Sequence, residues 1–168
     1  MSAELATVFL YGLKANDLEA QITDNLEAVS IAQKYASNEV AQINLEAACE
    51  EELVQNHIDA LEMDDEYADM VNERFEPDRY ESIVEEYKDL TEEQIEEKKD
   101  DLKEKIREIR EEADEKREEV ETRLSDFETE KQMENDSLEA QLQHCTENKE
   151  AYKELAIQNA QDNASYFQ

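Results

Sequence analysis

Two histidines, His57 and His144, and two cysteines, Cys49 and Cys145, are the side chains of this sequence best suited to metal or nucleophilic chemistry. A helical di-iron centre takes Glu-x-x-His pairs, but Val54 precedes His57 by three and Gln141 precedes His144 by three. His144 beside Cys145 would set a base next to a thiol, yet helical neighbours point about 100° apart and no third residue orients the imidazole. The cysteines match neither a C-x-x-C motif nor a Cys/His ligand spacing. In a hairpin turning near residues 90 to 97 they fall at comparable heights, so a Cys49–Cys145 bridge and two packed thiols both remain open. Asp64, Asp65, Glu66 and Asp69 could gather calcium, but they lack the glycine and the alternating ligands of an EF-hand loop and read as a solvated acidic face. With a single glycine there is no Gly-rich phosphate cradle, and no G-x-S-x-G or HExxH motif occurs. No catalytic, metal or cofactor-binding residue emerges, and the expectation is a protein that is not an enzyme and needs no cofactor.

The elements that carry these side chains follow from composition. In 168 residues, 48 Asp or Glu against 17 Lys or Arg leave a net charge of −31, with one glycine and one proline. A sheet-rich fold needs more turn formers than that. Nucleic acid is disfavoured, because its binding depends on Lys or Arg meeting phosphate, and an anionic membrane would repel the chain. The apolar run from Ala6 to Leu13 is too short to span a bilayer, and Met1 to Leu13 lacks the early positive charge of a signal peptide. Charge divides the sequence in three: residues 1–48 sum to −5, 49–136 to −23 and 137–168 to −3. Both ends tolerate close neighbours, whereas copies of the middle repel one another.

Apolar spacing is helical. Leu18, Ile22, Leu26, Val29, Ala32, Ala36, Val40, Ile43, Ala47, Val54, Ile58 and Leu61 recur mostly at steps of three and four, with Asn16 as an N-cap and Glu19 reaching back to it. Ahead of Asn16, Leu5, Val8, Phe9, Leu10 and Leu13 form an apolar leader with a hinge at Gly12. Pro77 must break or kink the pattern, and Thr91-Glu92-Glu93-Gln94 restarts it as a capping box, with Leu90 and Ile95 as a hydrophobic staple. A second seam then runs through Leu102, Ile106, Ile109, Ala113, Val120, Leu124 and Phe127, supported by Asp101–Lys105 and Glu112–Lys116 pairs. Asn135, Asp136 and Ser137 are expected to loosen its register before it resumes at Leu138, Leu142 and Cys145, with Tyr152, Leu155, Tyr166 and Phe167 beyond.

These features predict an all-α protein, an elongated antiparallel hairpin of long coiled-coil helices. Its parts are a leader at 1–15, a first arm at 16–76, a break at 77–91 and a second arm at 92–168, forming one domain. An arm of about 70 residues would extend roughly 100 Å.

Weakly charged apolar helical ends around a polar middle, without a cleavable signal, resemble the plan of secreted bacterial filament subunits. These are the flagellins and the hydrophilic translocator or extension-filament proteins of type III secretion systems. The stretch Leu138 to Tyr152, in which Asn148-Lys149 follows a leucine seam, resembles the carboxy-terminal helix of the type III group. The likeness covers roughly the last 30 residues and the overall plan. It implies a subunit exported unfolded, held by an export chaperone, and assembled outside the cell or on its surface through paired terminal helices. The assembly interface is then expected at Leu5, Val8, Phe9, Leu10, Leu13, Leu18, Ile22 and Leu26 with Leu138, Leu142, Tyr152, Leu155, Tyr166 and Phe167, the partner being a second copy. The alternative is a cytoplasmic acidic adaptor or chaperone whose hairpin captures another protein's helix.

Overall fold

The structure, a computed structural model, describes residues 2–62 and 90–167. Nearly all of them lie in two α-helices, α1 (Ala3–Glu62) and α2 (Glu92–Ser165), packed against each other as an all-α hairpin. Pro77, the acidic run at 64–69 and the break assigned to 77–91 fall outside the described residues, apart from Leu90 and Thr91.

Each helix begins where a side chain can satisfy its free N–H groups. At α2 the Gln94 backbone N–H donates to Thr91 Oγ1 at 3.3 Å while the Thr91 N–H donates to Gln94 Oε1 at 3.0 Å, the two reciprocal bonds of a capping box. Glu92 and Glu93 in the first turn complement the positive end of the helix dipole. Thr91→Ala is expected to cost about 1 kcal/mol and to lower the melting temperature by a few degrees, read by circular dichroism.

The start of α1 corrects the sequence expectation. Ser2 caps the helix, its Oγ accepting from the Leu5 N–H at 3.3 Å and its carbonyl from the Ala6 N–H at 3.0 Å. The helix therefore runs unbroken through Gly12 and Asn16, with neither a hinge at the first nor an N-cap at the second. Tyr11 stacks on Tyr152 with ring centroids 6.0 Å apart, an anchor that local propensity around Gly12 does not register.

The contacts group into two compact units, residues 1–36 with 122–168 and residues 37–121. In the first, Glu4 meets Asn159, Tyr11 meets Tyr152, Asn25 meets Asn135 and Gln33 meets Glu128, so rising numbers on α1 face falling numbers on α2. Its inward positions on α1 are Val8, Tyr11, Ala15, Leu18, Ile22, Asn25, Val29, Ala32 and Ala36, an unbroken alternation of three- and four-residue steps.

In the second unit Asn44 meets Arg117, Glu51 meets Arg110 and Glu62 lies 3.9 Å from Lys99, again antiparallel. Its core is Val54, Ile58, Leu61, Leu102 and Ile109, with Ala47, Ile95 and Ile106 packed on the edge. Two four-residue steps in succession occur on both helices here, Ile43–Ala47–Glu51 and Ile109–Ala113–Arg117, an insertion that locally unwinds a supercoil. Small alanines meet at that point and leave a cleft of about 20 Å³, room for one water. Above it the Lys116 ammonium sits 2.8 Å from Glu112. That bond holds the Glu112 carboxyl below its ordinary range and pushes Lys116 up, with Glu46 and Glu50 adding to the latter.

Candidate assembly interface

Fourteen residues anticipated as one interface divide into an inner and an outer set. Leu18 is buried, and Val8, Ile22, Leu138 and Leu142 are half-buried, so these five belong to the seam of the hairpin itself. Tyr152 is spent largely on Tyr11 of the same chain. The others, Leu5, Phe9, Leu10, Leu13, Leu26, Leu155, Tyr166 and Phe167, face solvent. Leu26 and Leu155 are also corrections to the expected seams, because the inward positions beside them are taken by Asn25 and Ala156. The heptad step from Ile22 runs three residues to Asn25, not four to Leu26.

Around Phe9 the outer set is dense. Phe9 is 59% and Leu10 62% exposed, flanked by Leu5 and Leu13 about half exposed, and between Ala3 and Asn16 the only charged residues are Glu4 and Lys14. Glu4 accepts from Asn159 Nδ2 at 3.1 Å. On α2 the exposed Leu155 and Ile157 add to the apolar surface of the same unit. Tyr166 and Phe167 stand almost fully exposed in a terminal turn.

Comparison with protein-family models, with curated proteins and with solved structures finds no match for this chain.

Inside the seam lie residues that apolar spacing alone passes over. Asn135 is 4% exposed, and its Oδ1 accepts from Asn25 Nδ2 at 2.9 Å. The expectation that Asn135 loosens the register is thus reversed, since the amide is buried against a partner. Lys131 lies at an inward position with its ammonium 5.7 Å from the Phe127 ring centre and 3.0 Å from Glu134. Arg117 reaches Asn44 and Asp114, and Arg110 grips Glu51 with two bonds of 3.1 Å. The signal for Asn25, Arg117, Lys131 and Asn135 is a polar residue standing three or four residues from the seam positions on either side, whereas Arg110 is exposed beside the seam. Glu112 and Lys116 pair as expected, whereas no ion pair joins Asp101 to Lys105.

Both cysteines are free thiols. Cys145 is 1% exposed in the first unit, near the inward-facing Leu142, and Cys49 is exposed in the second. His144 is exposed and its Nε2 lies 3.0 Å from Asn148 Nδ2. Among the described residues no group of three or more His, Cys, Asp or Glu is arranged to hold a metal ion. No helix among them is long and apolar enough to cross a membrane.

Proposed function

We propose that this chain is a structural, non-enzymatic protein that self-associates through the surface around Phe9, as a subunit of a secreted filament or appendage. The observation that carries the reading is the outward set Leu5, Phe9, Leu10 and Leu13, four large apolar side chains that the hairpin does not use. Burying one such side chain contributes about 1.5–3 kcal/mol, so a contact joining several outweighs the loss of free motion at modest concentration. The weak charge of residues 1–48, −5, permits close approach, while 49–136 at −23 must stay apart or be screened. The resemblance of Leu138 to Tyr152 to type III filament subunits supports the step from self-association to a secreted appendage, with an export chaperone as second partner.

Electron microscopy and sedimentation of the purified chain, over a series of concentrations and salt, test this. Assemblies should grow with concentration and strengthen between about 50 and 500 mM salt, as repulsion between acidic segments is screened. Dissolution by salt would show that charge pairs hold the contact. A chain that stays monomeric at every concentration would end the self-assembly reading and favour an adaptor that lends the same surface to another protein's helix.

A further inference from the structure

The two units differ in what fills their seams. Of the nine buried apolar side chains among the described residues, seven belong to the second unit, Ile58 and Ile109 among them, and two, Leu18 and Cys145, to the first. Residue type is the cause. Small side chains, Ala15, Ala32 and Ala36, take inward positions of the first unit on α1, and Lys131, Asn135 and Lys149 are buried or half-buried on α2. Ile, Val and Leu hold most of the corresponding positions of the second unit, from Val40 to Leu61 and from Ile95 to Val120. An alanine buries far less apolar area than an isoleucine, and a lysine or asparagine in a seam must also give up water. Polar ties cross the seam in both units, Gln33 with Glu128 at 2.8 Å and Arg110 with Glu51 at 3.1 Å. Being exposed, they add little to either.

We propose that the hairpin opens in two stages, residues 1–36 separating from 122–168 first while 37–62 stays paired with 90–121. The opened form uncovers the Cys145 thiol, with Leu18, Ile22 and Leu142, and keeps the core around Ile58 intact. Cooperative units open at free energies set by their own burial, so the unit with the thinner seam is the one that yields. This is a property of a single chain and holds whether or not copies associate. Charge works the other way, since residues 37–121 hold 33 Asp or Glu and 11 Lys or Arg, −22 of the chain's −31. Most of those charges on the described residues are exposed, so salt weakens their repulsion, with a screening length of about 6 Å at about 0.3 M. Burial then decides the order.

Amide hydrogen exchange of the full-length chain tests this, followed by mass spectrometry across a urea series in that salt, at a concentration where the chain sediments as a monomer. Peptides around Leu18 and Cys145, both well inside their helices, should exchange roughly tenfold or more faster than peptides around Val54 and Ile109. Their dependence on urea should be shallower, because the first opening exposes less surface than full unfolding. In a Cys49→Ser protein, which removes the exposed thiol, labelling of Cys145 by a thiol reagent should follow the same urea dependence as the amides around it. Ile58→Val, a mild truncation in the second unit, should quicken exchange around Val54 and Ile109 roughly fivefold and leave exchange around Leu18 and Cys145 within about twofold of the parent. Equal rates and urea slopes in both sets, with Ile58→Val quickening both alike, would make the hairpin one cooperative unit and overturn the proposal. Faster exchange around Val54 and Ile109 would overturn it as well, showing that repulsion sets the order.

Discussion

Shortening Ile58 to alanine is expected to lower stability by about 3 kcal/mol, the largest loss from any single substitution discussed. Ile58 is 3% exposed and sits between Val54 and Leu61 in a cluster where five buried apolar residues from both helices meet. A seam between two helices has no further layer to collapse into the space a deleted side chain leaves. The cavity term is therefore added nearly in full to the lost transfer energy. Leu45, 66% exposed on the same helix, is the control, and Leu45→Ala should change stability by about 0.5 kcal/mol or less. Urea denaturation of both variants measures the difference. Equal effects would mean that the burial pattern along α1 is wrong.

The second large effect concerns the paired amides of buried Asn135 and half-buried Asn25, and its sign depends on how many are changed. Asn135→Ala strips the partner from Asn25 and opens a hole, and should destabilise by about 1–3 kcal/mol. Changing both, Asn25→Leu with Asn135→Leu, replaces a polar pair by apolar side chains of similar size and should match or exceed the parent in melting temperature. What the double variant loses is register. A buried asparagine in an apolar seam penalises every alignment that does not return it to its partner, and Asn25 with Asn135 supplies that penalty here. Spin labels on Gln21→Cys and Glu139→Cys, both exposed positions of the first unit, read the outcome in a Cys49→Ser background. The parent should give one narrow distance and the double variant a second population from a heptad slip of about 10 Å. A single narrow distance in both would assign register to other contacts, Arg110 with Glu51 foremost.

Much of the fold was legible because its determinants are local or periodic. The capping box at Thr91 closes within four residues, and both of its bonds form. The apolar series from Leu102 to Phe127 falls at buried or half-buried positions throughout. What could not be read depended on the other helix. A glycine and an asparagine ahead of Leu18 look like a hinge and a cap until Tyr152 packs on Tyr11 and Ser2 is seen to cap α1. Asn25 and Asn135 each look like interruptions alone, and only their pairing 110 residues apart makes them part of the seam.

For the candidate interface the division was finer. Apolar type placed Leu18, Ile22, Leu138 and Leu142 with Phe9 and Leu10, since hydrophobicity does not say which side of a helix meets its own hairpin. The step pattern does, once Asn25 is admitted as a seam position. Leu26 then turns outward, and Phe9 and Leu10 lie off the line through Val8 and Tyr11. The charge contrast between the ends and the middle was fully available beforehand, being a property of residue order alone.

Replacing Phe9 and Leu10 together with serine tests the central claim most directly, through two readings on one protein: sedimentation against concentration, and thermal melting of the dilute chain. Both side chains point to solvent, so melting should stay within a few degrees of the parent while concentration-dependent association disappears. A fall in melting temperature with association intact would contradict the account, showing that these residues complete the hairpin's own packing and that copies of the chain meet elsewhere.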